Sequence, residues 1–295
     1  YSFGKPDVAE PGDEGYLMVG FDSETGEVAG TTGIEASIGW DVPFYSYHIS
    51  KVVHSSPKLG VNNVVKLLTF GNNYTGNSEI CTLFLREKFR QGLNGRLMSK
   101  CRFLMMAEHP ERFSETIFAE MRGVSDDEGN SPFWQWLQEH FFSIDFTLAD
   151  YLTGIGKKGF IADLMPKLPI YINLLSPEAQ AVIGQVHDNT RPALKLLERE
   201  GFTNRGYVDI FDAGPTVECD LRNIESVRHS FRAQVKIAQH SSTQDFLMCN
   251  SSFENFRAAV TKAAYDAETQ SVMIAPDVAD ALLVEEGDFV RLLPQ

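Results

Sequence analysis

Residues 78–102 combine a strand, a glycine loop and a helix that together could bind a phosphate group. Residues 79–85 form a short apolar run with the length and bounds of a buried strand. Gly92 and Gly95 follow it, and the residues after Gly95 place apolar side chains at helical spacing. The first N–H groups of a helix have no internal partner and the helix dipole is positive there, so this junction predicts an anion site.

The charge around this junction differs from that of the whole chain. Residues 81–102 contain six basic residues and one acidic residue, whereas the 295-residue chain has a formal net charge of -14. The basic residues are Arg86, Lys88, Arg90, Arg96, Lys100 and Arg102. A positive island in an acidic chain favours a phosphate ligand, and the alternative is a solvated helix face beside a common kind of loop.

The loop itself reads Arg-Gln-Gly-Leu-Asn-Gly over residues 90–95, without the Lys-Ser/Thr of a P-loop or the spacing of a dinucleotide fingerprint. It resembles the coenzyme A pyrophosphate loop of the GNAT acyltransferases, Q/R-x-x-G-x-G/A, with the spacing shifted by one residue. The resemblance implies that Arg90, Gly92, Asn94 and Gly95 bind an acyl-CoA.

Composition narrows the class of protein. Hydrophobic residues make up 43% and charged residues 22% of the chain, which is typical of a soluble globular protein with one large or two ordinary domains. No apolar run reaches membrane-spanning length, and the net charge disfavours nucleic acid as a partner. The four cysteines show neither paired nor metal-binding spacing, so we expect a reduced, cytoplasmic protein without a metal.

Alternating and β-branched segments predict a mixed α/β fold in which antiparallel hairpins lead into a β-α-β core. The predicted strands are residues 16–21, 28–37, 44–53, 64–70, 79–85 and 117–121. Turn-forming residues 22–27 join the first two strands as a hairpin, and the aromatic and β-branched residues 44–53 could pair next.

The later part of the chain predicts three helices, followed by a region of short strands. Ser131-Pro132 and Ser176-Pro177 have the N-cap and first-turn proline that open helices, and Gly201 ends a third helix over residues 193–200. A strand follows at residues 207–211. Short strands fill residues 243–295, with Gly287-Asp288 expected to form a hairpin turn. We therefore expect an acyltransferase domain at 1–220 and a small, β-rich, barrel-like domain at 221–295.

Six short blocks give the chain a specific resemblance to the arginine N-succinyltransferase family. They lie at residues 120–123, 131–134, 164–166, 169–171, 184–187 and 207–216. The likeness runs from Tyr16 and weakens after about Ile237. It implies a GNAT-like, largely antiparallel sheet, succinyl-CoA as cosubstrate rather than a resident cofactor, and L-arginine as acceptor in arginine catabolism. Such proteins carry a few tens more residues in front, so we expect part of the acceptor pocket to precede Tyr1.

The family resemblance also assigns two positions. Its proton donor falls on His187 through the block Gly-Gln-Val-His at residues 184–187, where a histidine near a helix start is otherwise a cap or a surface residue. Histidine titrates in the range that transfer of a proton to a departing thiolate requires. The central strand in GNAT folds splays from its neighbour, and its backbone at Leu83 is implied to bind the thioester, with the Leu83 side chain in the core.

Arginine brings a guanidinium and a carboxylate, and the succinyl group brings a second carboxylate. A guanidinium favours fixed carboxylates, for which Glu120, Asp209 and Asp212 are candidates, the latter two on one late strand. Arg122 is a candidate partner for a substrate carboxylate. Glu120 and Arg122 could instead form a surface ion pair, and Asp209 and Asp212 could form the turn before Gly214.

Three functions are compatible with the sequence. The first is succinyl transfer to arginine, and the second is a GNAT acyltransferase that uses another acyl-CoA or ornithine. The third is a non-catalytic subunit that binds CoA. The resemblance also allows a homo-oligomer, or a hetero-oligomer with a paralogous subunit.

Overall fold

A computed structural model describes residues 2–5, 8–126, 128–141, 148, 151 and 164–295. Within these residues, fifteen strands form two sheets, and six α-helices accompany them. The helices are α1 (Asn94–Glu108), α2 (Pro132–Phe141), α3 (Pro177–Val182), α4 (Arg191–Arg199), α5 (Glu225–His229) and α6 (Pro276–Leu282).

The larger sheet has nine described strands in the order β1-β2-β5-β6-β9-β8-β3-β4-β7. They are β1 (Gly15–Phe21), β2 (Val28–Glu35), β3 (Ser46–Ser56), β4 (Val61–Gly71), β5 (Ser78–Leu85), β6 (Thr116–Glu120), β7 (Ile170–Tyr171), β8 (Thr203–Val208) and β9 (Pro215–Asp220). Among these strands only β5 and β6 run parallel, and α1 connects them. The predicted mixed, largely antiparallel sheet with a β-α-β core is confirmed.

Local turn chemistry explains the first hairpin. The Asp22 carboxylate accepts hydrogen bonds from the backbone N–H groups of Glu24 and Thr25, which closes the predicted turn between β1 and β2. The expectation that the next strand pairs beside this hairpin is wrong. Strand β3 instead pairs with β4 and β8 across the sheet, because the strand that returns to β2 is β5.

The predicted helix starts are close to those observed. Helices α2 and α3 begin at the two prolines, and the Ser176 hydroxyl caps α3 by accepting from the Ala179 N–H at 3.2 Å. Helix α4 begins at Arg191, two residues before the prediction, and ends before Gly201, whose φ of 96° lies in the left-handed region.

The second sheet has six described strands in the order β12-β11-β15-β10-β14-β13. They are β10 (Phe231–Ile237), β11 (Asp245–Asn250), β12 (Ala258–Lys262), β13 (Ala264–Asp266), β14 (Ser271–Ile274) and β15 (Phe289–Pro294). This confirms a β-rich C-terminal region. The predicted hairpin at Gly287-Asp288 is wrong, because helix α6 intervenes and β10 lies between β14 and β15.

Helix α1 joins the two sheets. Its buried residues Cys101 and Leu104 share one apolar cluster with Ile80 of β5 and with Leu247 of β11. At its end, the buried Glu108 carboxylate accepts ion pairs from Arg291 at 2.8 Å and from Arg232 at 3.0 Å. These contacts hold the helix that follows the glycine loop from both sides.

One finding concerns membranes: among the residues that the structure describes, no helix is both long and apolar enough to span a bilayer.

Candidate active site

Strands β5 and β6 separate soon after they meet. They pair only at Ser78 with Ile117 and at Glu79 with Phe118, although β5 continues to Leu85 and β6 to Glu120. Past these pairs, the described residues of β6 give the second half of β5 no strand partner on that side. An extended ligand with its own hydrogen-bonding groups can therefore enter between the two strands.

A bulge reshapes β5 at the same place. Thr82 has a φ of 49°, and the register between β2 and β5 shifts around it, while its carbonyl accepts from the Thr31 hydroxyl at 3.0 Å. Bulges of this kind re-aim a strand and occur beside active sites. Leu83 follows the bulge and is half-buried, so its side chain does not lie in the core as predicted. The expectation of a buried strand also fails here, since Phe84 is 55% exposed.

The predicted glycine loop leads directly into α1. Gly92 has a φ of 55°, and side-chain atoms added at Gly92 or Gly95 would meet nothing within 4 Å. No side chain caps the start of α1, and its first turn contains no acidic residue. The Asn94 N–H donates to the Gln91 carbonyl at 3.2 Å and the Leu97 N–H to the Leu93 carbonyl at 2.9 Å, which leaves the N–H groups of Gly95 and Arg96 for an anion at the positive end of the helix.

The basic residues of the island separate into three groups. Arg86 and Lys88 both pair with Glu27, and Lys100 pairs with the buried Glu200 at 2.9 Å. Arg90 and Arg96 are exposed beside the loop, with the Arg90 Nε donating to the Leu85 carbonyl at 2.8 Å. Arg102 is buried. The Asn94 side chain donates to the Phe89 carbonyl at 3.1 Å and so braces the loop.

His187 lies at the end of β6 and is half-buried. Its backbone N–H donates to the Arg122 carbonyl at 2.9 Å, and its ring Nδ1 accepts from the Asn189 N–H at 3.1 Å. An Nδ1 that accepts carries no proton, so the neutral ring has its proton on Nε2. Nε2 is therefore the atom that can donate to a ligand.

Asp209 and Asp212 lie in the turn between β8 and β9, so their predicted place on a strand is wrong. The Asp209 carboxylate accepts from the N–H groups of Phe211 and Asp212, at 2.7 and 2.8 Å. Asp212 accepts from Gly123 at 2.7 Å and from Gly214 at 2.8 Å. These bonds match the alternative in which both residues form the turn, and pairing with a guanidinium stays a prediction.

Burial sets the electrostatics of this turn. Burial and the adjacent Asp212 charge raise the pKa of Asp209 well above its ordinary value. The turn is also close-packed, since a Cβ at Gly214 would meet the Met121 carbonyl at 2.1 Å. Through Gly123 and Arg122, the turn fixes the segment that holds His187.

A pocket of about 410 Å³ opens beside the end of β6 and includes Glu120. Its lining contains the carboxylates of Asp13, Glu35, Asp41, Glu79 and Glu120, and the aromatic rings of Trp40 and Phe44. Burial raises the pKa of Glu35. Arg122 lies on the surface nearby and donates to the Ser125 hydroxyl at 2.8 Å.

The sequence pointed to Glu120 but not to its neighbours in the pocket. Glu35 and Glu79 are 44 residues apart by their numbers and become adjacent only because β2 and β5 pair in that register. The one available signal was that Glu79 opens the predicted strand 79–85 and Glu35 lies two residues before the end of the predicted strand 28–37, where a sheet brings different segments together.

A sheet that opens beside a glycine loop at a helix start is the arrangement of a GNAT-like acyltransferase that binds an acyl-CoA. The family model described as "Arginine N-succinyltransferase beta subunit" matches residues 2–226. The model described as its "C-terminal domain" matches residues 231–294. The chain belongs to the arginine N-succinyltransferase family.

Individual relatives agree with this assignment. The chain is 47% identical over 290 residues to the arginine N-succinyltransferase of Salmonella schwarzengrund, covering 97% of this chain and 83% of the relative. It is 47% identical over 285 residues to that of Salmonella newport, covering 96% and 82%. The solved structure of arginine/ornithine succinyltransferase subunit AI from Pseudomonas aeruginosa superposes with a TM-score of 0.89 at 35% identity, over 99% of this chain and 85% of that chain.

Proposed function

We propose that this protein transfers the succinyl group of succinyl-CoA to the α-amine of L-arginine, as a step of arginine catabolism. The observation that carries the proposal is the opening between β5 and β6 directly before the glycine loop of α1. A thioester and its pantetheine arm fit such an opening, and the loop suits the pyrophosphate that follows them. Family membership supports succinyl-CoA as the donor.

The CoA portion binds along β5 and the loop. The backbone of Leu83, just past the bulge, hydrogen-bonds the thioester end. The backbone at Gly92 and Gly95 approaches the pyrophosphate, and the exposed Arg90 adds charge, with Asn94 bracing the turn. The open space around both glycines supports this role.

The acceptor binds in the acidic pocket at the end of β6. Glu120, with Glu35 and Glu79 beside it, offers carboxylates to the guanidinium, which prefers bidentate acceptors. Arg122 is proposed to bind the α-carboxylate from the rim. This arrangement points the α-amine towards the strand opening, since Glu120 ends β6 and Arg122 follows two residues later. Asp209 and Asp212 support the floor of this region through their bonds to the turn and to Gly123.

His187 supplies the proton for the leaving group. The uncharged amine attacks the thioester carbonyl carbon, the C–N bond forms, and the tetrahedral intermediate then breaks its C–S bond. The amine loses one proton and the CoA thiolate gains one. The Nε2–H of His187 passes its proton to that thiolate as the proton lost by the amine replaces it on Nε2, so the ring stays neutral, while Asn189 fixes the ring orientation through Nδ1.

We also propose that the protein is cytoplasmic and that its active form is an oligomer. The four cysteines carry free thiols, three of them buried, which suits the reducing cytoplasm. A homo-oligomer, or a hetero-oligomer with a paralogous subunit, is proposed for the active form. Sedimentation velocity of the purified chain, alone and with a paralogous chain, measures whether either assembly forms.

Thiol release tests the proposed activity. Purified protein is mixed with succinyl-CoA, with and without arginine, and the free CoA thiol is followed with a chromogenic disulfide. Release that depends on arginine, and is faster than with ornithine, supports the proposal. Calorimetric binding of succinyl-CoA without any arginine-dependent release would instead indicate a subunit that binds CoA and does not catalyse transfer.

A further inference from the structure

Arg102 is a buried guanidinium without a carboxylate partner. It is 2% exposed, and both of its hydrogen bonds go to Ser99 on the same helix, from Nε to the carbonyl at 3.0 Å and from Nη2 to the hydroxyl at 3.3 Å. Within the described part of the chain, no Asp or Glu lies within ion-pair distance of it. Lys100, two residues earlier, pairs instead with Glu200.

This arrangement leaves donors unused. A guanidinium has five N–H groups, and the two bonds to Ser99 occupy one on Nε and one on Nη2. The Nη1 atom and the second N–H of Nη2 remain for another acceptor, and these are the groups that bind a carboxylate end-on. Burial lowers the pKa of Arg102 to about 10, because the charged guanidinium loses contact with water.

The position of Arg102 relates it to the opened sheet. It lies on the sheet-facing side of α1, four residues after Met98, whose sulfur would be 2.7 Å from a Cβ at Gly20. Gly20 pairs with Gly30 of β2, and Gly30 pairs with Leu85 of β5, so Gly20 and Leu85 lie at the same height in the sheet. The four residues from Met98 to Arg102 advance about 6 Å along the helix, which equals about two residues of a strand. Helix α1 runs antiparallel to β5, because it connects the parallel strands β5 and β6. Arg102 is therefore level with Leu83 along the strand direction, and it interacts electrostatically with the thiol of Cys81, which directly precedes the bulge residue Thr82.

We infer that Arg102 binds the distal carboxylate of the succinyl group and so selects a dicarboxylic acyl chain over a neutral one, an inference that rests on the proposed succinyl transfer. Leu83 holds the thioester end of the same four-carbon group, and Arg102 lies at its level on the covering helix. The other cations of the island cannot take this role. Arg86, Lys88 and Lys100 are engaged in ion pairs, and the side chains of Arg90 on the loop and of Arg96 in the first turn of α1 are exposed to solvent.

The acyl preference of an Arg102→Met variant tests this inference. Methionine preserves much of the volume but removes the charge, and butyryl-CoA matches succinyl-CoA in chain length without the carboxylate. Loss of a charge-assisted bond should lower kcat/KM for succinyl-CoA by roughly ten- to a hundredfold, while kcat/KM for butyryl-CoA stays the same or rises. An equal loss with both donors, or an unchanged preference, would overturn the inference.

Two controls separate this role from a structural one. Arg112→Met removes another buried guanidinium, which lies over the Phe253 ring and donates to the Lys5 carbonyl, and it should leave the acyl preference unchanged. Arg122→Met should raise KM for arginine without altering the acyl preference. Arg102→Gln serves as a second variant that can still bond to Ser99 if the Met variant does not fold.

Binding to the unmodified protein provides an independent readout. Calorimetry should find that succinyl-CoA binds more tightly than butyryl-CoA by a similar factor, and equal affinities would contradict the role of Arg102. This readout needs no turnover. If the unmodified protein shows the binding preference, Arg102→Met loses it, and no thiol is released with arginine, the proposed activity fails while the assignment of Arg102 stands.

Discussion

At the scale of single residues, the structure turns His187 from a family resemblance into a defined hydrogen-bonding arrangement. Its Nδ1 accepts from Asn189, which leaves the Nε2 proton for a ligand. Glutamine keeps the size and can hydrogen-bond but cannot transfer a proton. His187→Gln should therefore lower kcat by about 10²–10⁴-fold, with little change in KM for succinyl-CoA. Steady-state thiol release measures both constants.

A second histidine gives a matched control for this variant. His229 is exposed at the end of α5, and its Nδ1 lies 3.0 Å from the Glu225 carbonyl. His229→Gln should leave both constants unchanged. If His187→Gln retains a near-normal kcat, the proton role belongs to another group, and Glu120 or an ordered water becomes the next candidate.

Asp209 gives a residue-scale prediction about stability and pH. Its pKa is raised in the fold, so it stabilises the protein below its unfolded pKa of about 3.9 and loses that contribution as pH rises through the folded pKa. Asparagine can accept the same two N–H bonds and does not ionise. As pH rises above about 4, the free energy of unfolding of Asp209→Asn should therefore increase relative to that of wild type, and urea titrations at a series of pH values measure this difference.

Asp266 supplies the control with the opposite shift. The Thr269 hydroxyl and the Glu268 N–H donate to its carboxylate and lower its pKa, so its stabilising contribution is already complete above about pH 4. The difference between Asp266→Asn and wild type should stay flat over the same range. A flat curve for Asp209→Asn as well would mean that its buried charge does not limit stability.

A part of the site could be predicted from the sequence when its residues lie close together along the chain. The loop, the helix start and the positive island lie within 25 consecutive residues, so their chemistry was predictable from the sequence. The pocket was not, because Glu35 and Glu79 meet only through strand register. Arg102 looked like one more surface cation, since only packing shows that it faces the sheet.

At the scale of elements, the glycine loop and the first turn of α1 are the proposed phosphate site. Gly95 has open surroundings and lies in the first turn, so Gly95→Val should fold normally while its side chain occupies the space of the pyrophosphate. The affinity for succinyl-CoA should fall by roughly tenfold or more, equivalent to about 1.4 kcal/mol. Isothermal calorimetry and a thermal unfolding curve together measure this effect.

Gly4→Val is the matched control for the loop. Gly4 is exposed, also has nothing within 4 Å of an added Cβ, and lies outside the loop. This variant should bind succinyl-CoA as wild type does. Unchanged affinity in a folded Gly95→Val protein would place the pyrophosphate elsewhere.

The elements themselves were predictable where their patterns were strong. The hairpin of β1 and β2 and the β-α-β unit followed from turn residues and β-branched runs. Helix α6 was missed because its seven residues are too few to show a helical period. The partner of β3 was missed because hairpin order along the chain does not fix order across a sheet.

At the scale of the whole molecule, helix α1 connects the glycine loop, the opened strand β5 and the second sheet. Helix α1 begins at the loop, carries Arg102 past the opened strand, and ends at Glu108, which pairs with Arg232 and Arg291 of the second sheet. The division at residue 220 stays a prediction. The shared cluster around α1 indicates that the second sheet stabilises the helix on which the proposed site depends.

The identity of the acylated nitrogen shows whether the protein transfers succinyl to the α-amine of arginine. Arginine labelled with ¹⁵N only at the α position is incubated with succinyl-CoA and the protein, and the product is observed by ¹H–¹⁵N correlation spectroscopy. We expect a new amide N–H correlation that grows in step with thiol release and needs both substrates. Thiol release without this correlation, or acylation of a guanidinium nitrogen, would contradict transfer to the α-amine.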